Sequence, residues 1–254
     1  MTDKMPVLRE PARRRRGGKK LLISLFILFV VILCVLFFNS SISKISSITV
    51  EGQRYMKAAD IQKATGVTVG DAFFGTTAKT IEARVGKLKA IETTKVIKSF
   101  PGKIKIVIKE LPTVAYEVSP KGEITAIMSN GTSLVAGSDV VVDKPILSGW
   151  KAGDPVKIEL CKQLAAIPAQ SLSDFSEIMP TASASYKDRI KIYTRTRFEV
   201  ITAVSLLQSK IAVLNAVIET QEPGLITLLL ADKYASFTPS DSENTDSAEK
   251  ETTQ

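Results

Sequence analysis

The chain has 254 residues, with 34 Lys and Arg, 26 Asp and Glu, no His and two Cys, and its formal net charge is +8. The lack of His excludes Ser-His-Asp and Cys-His catalysis and any His-ligated metal site. Two Cys exclude a Cys-rich zinc site and allow at most a single disulfide. The hydrophobic content of 44% and charged content of 24% are typical of a globular chain.

The N-terminal residues form a basic block. Residues 1–20 contain eight Lys and Arg and two acidic residues, a net charge of +6, and a hydrophobic run follows directly. Such a block can bind nucleic acid, but beside a hydrophobic run it is typical of a segment that keeps the N-terminus in the cytoplasm. The same charges attract the anionic lipids of the cytoplasmic leaflet. We therefore predict a membrane partner and no nucleic acid.

The hydrophobic run predicts one membrane-spanning helix. Residues 21–38 are apolar except for Ser24. As a helix they would extend roughly 27 Å, close to the thickness of the hydrocarbon core. A cleaved signal peptide is the alternative, but its apolar core is usually about 7–15 residues and small residues follow it. We predict a cytoplasmic tail over 1–20, an uncleaved transmembrane helix over 21–41 and an extracytoplasmic body after it.

The two cysteines are predicted to stay unpaired. Cys34 lies in the hydrophobic run, whereas Cys161 lies in the extracytoplasmic body. A disulfide requires two Cα atoms within about 7 Å, which this separation opposes. We expect Cys161 to be a small buried residue of the core.

The first part of the body, residues 45–112, predicts a compact βααββ unit. The predicted elements are a strand at 47–51, helices at 57–65 and 77–88, and strands at 91–100 and 103–109. In the last strand, Ile104, Ile106 and Ile108 alternate with more polar residues and are expected to face the core. The connection between the helices carries Phe73 and Phe74, and both rings are expected to be buried.

This unit resembles a POTRA domain. The shared sequences are Ile48-x-Val50-x-Gly52, Gly70-Asp71-x-Phe73, Phe100-Pro101, Ile104-x-Ile106-x-Ile108-x-Glu110 and Pro112-x-Val114-Ala115. A basic tail, one membrane helix and a single POTRA unit together resemble the DivIB/FtsQ family of bacterial cell-division proteins. The resemblance extends over residues 12–239 and implies a POTRA domain over 42–113 and a β-rich domain over 114–239.

The second half of the body predicts short strands and two helices. The strands are predicted at residues 114–118, 123–128, 132–135, 175–179, 189–193, 198–202, 225–230 and 233–237. Asp154 and Pro155 are typical of an N-cap and a first helical residue, and they begin a helix that we expect to end near Ala166. A second helix is predicted over 206–218, where apolar residues recur at helical spacing.

Together these elements predict an α+β fold. It comprises a single N-terminal transmembrane helix, a βααββ POTRA domain, and a mixed α/β domain with a largely antiparallel sheet. Family members often carry an acidic and then a basic residue in the strand after a late glycine, but Gly224 is followed here by Leu-Ile-Thr-Leu-Leu. Residues 240–254 carry five acidic residues and one Lys among almost no apolar residues, so we predict a disordered tail.

The last two predicted strands contain the candidate binding site. The first of them has five apolar residues among six, whereas a strand buried on one face alone would alternate. Either this strand is buried on both faces, or one face accepts a partner strand by β-augmentation. On the second interpretation, we expect Leu228, Leu230, Tyr234 and Phe237 to bind the partner. The resemblance supports Phe237, since the family has an aromatic residue two positions before a closing proline, here Pro239.

The resemblance implies a division-site scaffold without catalytic activity. The expected partners are DivIC/FtsB-like and FtsL-like coiled-coil proteins, together with the septal transpeptidase and its polymerase partner. We predict no catalytic residue, cofactor or metal site, and a location in the cell membrane at the division septum. Two alternatives are a POTRA-containing envelope chaperone or assembly module, which normally has tandem repeats, and a membrane-anchored envelope enzyme.

Overall fold

The computed structural model describes residues 17–137 and 140–237, so the predicted acidic tail and most of the basic tail lie outside the described residues. The helices are α1 (Gly17–Asn39), α2 (Ala58–Thr65), α3 (Ala78–Val85), α4 (Pro155–Ala166), α5 (Ala169–Leu172) and α6 (Val204–Thr220). The strands are β1 (Ser47–Glu51), β2 (Ile91–Ser99), β3 (Lys103–Glu110), β4 (Thr113–Val118), β5 (Ile124–Met128), β6 (Ser133–Val135), β7 (Ile146–Leu147), β8 (Phe175–Pro180), β9 (Arg189–Thr194), β10 (Glu199–Ala203), β11 (Gly224–Leu228) and β12 (Asp232–Ser236).

The helix α1 is the predicted membrane span. Among the described helices it alone is long and apolar enough to cross a bilayer, and the apolar window within its span Lys19–Asn39 is not buried inside the chain. The helix ends at Asn39, and a 3₁₀ turn over Ser41–Ser43 follows. The turn begins there because the Ser40 side chain accepts the Ile42 N–H and so offers the backbone an alternative to the helical bond.

The elements β1, α2, α3, β2 and β3 form the predicted βααββ unit. Its three-stranded sheet has the order β1-β3-β2, with β1 parallel and β2 antiparallel to β3. Ile104, Ile106 and Ile108 face the core as predicted, where they meet Ile81 of α3. Phe73 and Phe74, in the connection between α2 and α3, are both expected to be buried, and this expectation is wrong for one of them. The ring of Phe73 is buried, whereas 55% of Phe74 is exposed.

The remaining strands form one nine-stranded sheet. Its order is β12-β11-β10-β9-β8-β7-β4-β5-β6, and five of the eight neighbouring pairs are antiparallel. The sheet is therefore largely antiparallel, as predicted. The strand β7 has two residues and lies between β4 and β8, pairing with β4 through Tyr116 and Ile146.

Helices α4 and α6 pack on one face of this sheet and form its main core. The Asp154 side chain accepts the Val156 N–H, and Pro155 is the first residue of α4, so that helix begins as predicted. Cys161 of α4 is buried in the core, and burial raises the pKa of its thiol to about 11. The other buried residues of this core include Leu160, Leu164, Phe175, Ile178, Ile190, Ile192, Val200, Leu207, Leu214 and Ile226.

Candidate functional site

The strand β12 lies at one end of the nine-stranded sheet. Within residues 17–137 and 140–237, its only strand neighbour is β11, with which it pairs in antiparallel register from Leu228–Asp232 to Gly224–Ser236. The Phe237 N–H donates to the Pro223 carbonyl at 3.2 Å and extends the pairing by one residue. An edge of this kind presents alternate backbone N–H and C=O groups for pairing with another chain.

Two of the four predicted partner-binding residues are exposed, and they lie at the two ends of β12. Leu230 is 93% exposed and Phe237 is 53% exposed. The strand that was predicted to include Leu230 ends at Leu228, so Leu230 lies in the turn before β12. Phe237 follows the last residue of β12. A short edge strand is therefore flanked by two exposed apolar side chains.

The other two predicted residues face the core. Leu228 is 2% exposed, and its carbonyl accepts the Thr202 hydroxyl at 2.9 Å. Its side chain is therefore withdrawn from the surface, which excludes it as a surface contact. Tyr234 is half-buried opposite Ile226, and its hydroxyl donates to the Glu222 carbonyl at 2.7 Å. Tyr234 thus anchors the edge strand to the domain.

An ion pair that the sequence does not predict fixes the start of the edge strand. Asp232 is the first residue of β12, and its carboxylate lies 2.8 Å from the ammonium group of Lys210 on α6. Both side chains are partly exposed, so the pair is worth little to stability and serves to position the strand. Charged residues such as Asp232 and Lys233 are typical of edge strands, where they oppose indiscriminate pairing. That composition is the signal that could have identified β12 as an edge.

A second apolar surface lies where the membrane helix meets the βααββ unit. We call it the aromatic junction, and its members are Phe37, Phe38, Phe73, Phe74 and Phe100. The Phe37 ring centroid lies 6.2 Å from that of Phe74 and 6.5 Å from that of Phe100. Lys98 supports the junction, because its ammonium donates to the carbonyls of Phe73 and Thr76. The side chains come from α1, the α2–α3 connection and the β2–β3 hairpin, so sequence spacing does not reveal the cluster.

The βααββ unit also contacts the larger sheet directly. The Tyr55 hydroxyl lies 3.1 Å from the Tyr116 hydroxyl, and Tyr116 also lies 3.4 Å from the Asp143 carboxylate. Burial and the hydrogen bond with Tyr55 raise the pKa of Tyr116 well above its usual range. Tyr116 therefore stays protonated at neutral pH, and its hydroxyl contact with Tyr55 joins the two units.

One enclosed polar space lies between α4 and the β5–β6 turn. Its volume is about 250 Å³, and Glu117, Trp150 and Lys157 are among its lining residues. The Lys157 ammonium lies 2.5 Å from the Glu117 carboxylate, so its charge is already paired within the chain. Small-molecule sites usually have volumes of about 300–1,000 Å³. Among the described residues, no group of three or more Cys, Asp and Glu side chains is placed to hold a metal ion.

Comparison with known proteins places the chain in a family. Residues 43–110 match the POTRA domain, FtsQ-type. The cell division protein DivIB of Paenibacillus polymyxa is 47% identical over 221 residues, which cover 87% of this chain and 86% of that protein. The chain belongs to the DivIB family. DivIB of Geobacillus kaustophilus is 28% identical over 251 residues, covering 97% of this chain and 95% of that protein.

A solved structure is also similar in part. It is the major extracytoplasmic domain of the trans isomer of DivIB from Geobacillus stearothermophilus, with 28% identity and a TM-score of 0.38 over 43% of this chain and 92% of that one. The DivIB relatives and the POTRA match confirm the family resemblance read from the sequence. A member of the DivIB family with one apolar N-terminal helix is a single-pass membrane protein with a role in cell division.

Proposed function

We propose that this protein is a non-catalytic scaffold of the division site that binds a coiled-coil partner along β12. The observation that carries the proposal is the edge strand with Leu230 at one end and Phe237 at the other, 93% and 53% exposed. Recognition by β-augmentation combines main-chain hydrogen bonds with pockets or apolar contacts for alternate side chains. A five-residue edge with an apolar contact at each end fits that mode of binding.

The direction of the backbone amides supports the same mode. Because the Phe237 N–H points toward Pro223, the residue before β11, the alternation of an antiparallel strand turns the Tyr234 N–H away from β11. The Tyr234 ring packs on the core while its hydroxyl binds the Glu222 carbonyl, so the outward amide is held in a fixed position. A preorganised edge loses little conformational entropy when a partner strand binds.

Membrane anchoring allows a five-residue edge strand to bind its partners even if the contact itself is weak. If the partners are also single-pass proteins of the same membrane, association takes place at a raised effective concentration. We propose that the partners are DivIC/FtsB-like and FtsL-like proteins, and that the assembly recruits or restrains the septal transpeptidase and its polymerase partner. The basic N-terminal block supports an extracytoplasmic location for the body, the side of the membrane on which we propose that those enzymes meet it.

Charge substitutions at the two ends of β12 test the binding site. We expect Leu230→Asp together with Phe237→Asp to reduce co-purification of the coiled-coil partners with the tagged full-length protein by about tenfold. Val135→Asp is the matched control, because Val135 is 76% exposed on β6 at the opposite end of the same sheet. Unchanged co-purification with the double variant, or an equal loss with the control, would contradict binding along β12.

Imaging tests the division-site role separately. A fluorescent protein fused to the N-terminus of the full chain should form a band at midcell in dividing source cells. The band should persist when residues 1–13 are deleted, since the proposal assigns recruitment to the extracytoplasmic body. A uniform envelope signal throughout the cell cycle would contradict the proposal and favour a general envelope chaperone.

A further inference from the structure

Two of the exposed apolar side chains of the POTRA unit lie at its membrane-proximal end, beside the end of α1. Between residues 43 and 110, the large hydrophobic side chains that are exposed are Val69, Phe74, Ile97 and Phe100, with exposed fractions of 57%, 55%, 41% and 56%. Phe74 and Phe100 belong to the aromatic junction, where their ring centroids lie 6.2 Å apart. Exposed apolar groups gathered at one end of a domain indicate a surface that is covered in the assembled state.

The connection between α1 and the POTRA unit is short and is hydrogen-bonded to both of them. Ser43 is buried, and its hydroxyl donates to the Phe38 carbonyl at 2.7 Å. The Ser43 carbonyl accepts the Phe73 N–H at 2.8 Å, so the connector is bonded on one side to the helix and on the other to the POTRA unit. Ile45, two residues later, is already in the core. The POTRA unit therefore begins immediately at the end of the membrane helix.

The β2–β3 hairpin packs against the same connector. Gly102 at its tip has a φ of +68°, and a Cβ atom there would lie 2.3 Å from the Lys44 carbonyl oxygen. Only glycine permits this approach. The hairpin tip, including Phe100, is thereby held beside the end of α1.

The contacts with Phe37 indicate where the aromatic junction lies relative to the hydrocarbon core of the membrane. Residues 21–38 span roughly 27 Å as a helix, close to the hydrocarbon thickness, so Phe37 lies within one turn of the hydrocarbon boundary. The Phe74 and Phe100 rings contact Phe37 and hence lie at the same level. Aromatic side chains at this level are typical of the membrane–water interface.

We propose that the POTRA unit inserts Phe74 and Phe100 into the outer leaflet of the membrane, where the exposed ammonium groups of Lys44 and Lys103 meet anionic lipid phosphates. Continuity with the membrane helix identifies the occupant as lipid, because the two rings extend the apolar surface of α1 outward at the level where acyl chains end. This contact fixes the orientation of the POTRA unit relative to the membrane plane. It is independent of partner binding along β12.

Added tryptophans test the contact in the full-length chain. The protein is reconstituted in vesicles of phosphatidylglycerol and phosphatidylethanolamine, with or without bromine on the acyl chains, and the native Trp150 gives the baseline. We expect brominated lipid to remove about half of the added emission in Phe74→Trp and Phe100→Trp, since insertion brings the indole to the acyl chains. Thr93→Trp is the matched control, because this exposed residue of β2 lies roughly 23 Å along the strand from Phe100.

The comparison of bromine quenching between the junction variants and the control tests whether the two rings enter the membrane. Quenching of both junction variants above the level of Thr93→Trp supports the proposal. Equal quenching at all three positions, or none, overturns it; in that case the transmembrane helix of a partner protein is the remaining occupant for these rings. Should Phe74→Trp fail to give the circular dichroism spectrum of the parent, Val69→Trp in the same exposed connection supplies the same readout.

Discussion

Both carboxylate oxygens of Glu110 accept the backbone N–H of Tyr55, each at 3.1 Å. The neighbouring amides of Arg54 and Met56 donate to the same carboxylate at 2.9 Å. Glu110 is the last residue of β3, so a single side chain fixes the loop between β1 and α2 against the end of the sheet. The position of Glu110 in the POTRA sequence pattern therefore has a structural explanation.

Removal of this carboxylate should destabilise the POTRA unit. We expect Glu110→Ala to lower the free energy of unfolding by about 2–3 kcal/mol, since hydrogen bonds to a charged group contribute that much. Glu110→Gln keeps one acceptor oxygen and should lose less. The measurement is urea unfolding of the full-length chain in detergent micelles, followed by circular dichroism. Glu123→Ala, at an exposed position, should change stability by less than about 0.5 kcal/mol.

A methyl group at Gly52 should be poorly tolerated. Gly52 has a φ of +89°, and a Cβ atom there would lie 2.1 Å from the Ile108 carbonyl oxygen. Gly122 has a similar φ of +81° but nothing within 4 Å of the same position. Gly122→Ala should therefore cost only the left-handed backbone strain of about 1–2 kcal/mol, and Gly52→Ala at least about 1 kcal/mol more. Equal stability of the two variants in thermal unfolding would show that the close approach has no role.

The stability of α6 should depend on pH through Asp188. The Asp188 carboxylate accepts the Ser205 N–H at 2.9 Å in the first turn of α6. Burial opposes ionisation of Asp188, but the hydrogen bonds from Ser205 outweigh it and hold the pKa of the carboxyl below its usual value. Because the folded state favours the ionised form, its contribution is complete above the unfolded pKa and is lost as the pH falls through the folded pKa.

The variant Asp188→Asn tests this dependence. At pH 7 it should be less stable than the parent by no more than about 1 kcal/mol, because the site is partly exposed and the charge is screened. The difference should shrink as the pH falls through the folded pKa and vanish once the parent carboxyl is protonated in both states. Guanidinium unfolding followed by Trp150 fluorescence measures both values. A difference that stays constant with pH would exclude Asp188 ionisation as the cause.

The Cys161 thiol should be inert in the folded protein. It is buried, and its pKa of about 11 leaves almost no thiolate at pH 8. In a Cys34→Ser background, a thiol reagent at pH 8 should label Cys161 at least about 100-fold more slowly before denaturation than after it. Leu230→Cys in that background should react at the rate of an exposed thiol. Rapid labelling of folded Cys161 would contradict its placement in the core.

Local sequence signals predicted most elements of the fold. The Asp154–Pro155 pair determines where α4 begins, because its side-chain acceptor and missing N–H both act within one turn. The alternation of Ile104, Ile106 and Ile108 determines the buried face of β3 in the same local way. The end of β11 was missed, because the turn after Leu228 contains no Gly, Pro, Asn or Asp to indicate a chain reversal.

The candidate sites were less predictable, because they depend on which elements become neighbours. Leu228 is buried because α6 and β10 pack beside β11, and no local pattern distinguishes it from the exposed Leu230. Phe74 was expected in the core because a large aromatic residue is usually buried, but its position beside Phe37 leaves it exposed. The membrane is a second apolar phase, and hydrophobicity alone does not reveal which of the two a side chain enters.

The two-residue strand β7 has a mechanical consequence. The sheet connects β12 with β4, and β4 follows the POTRA unit directly, so tension applied by a partner at β12 reaches the membrane anchor across β7. This strand is held by one residue pair with β4 and by two with β8, fewer in total than any other strand from β12 to β4. Under load, the sheet should yield at Ile146 and Leu147 first, and the halves on either side should move as separate rigid pieces.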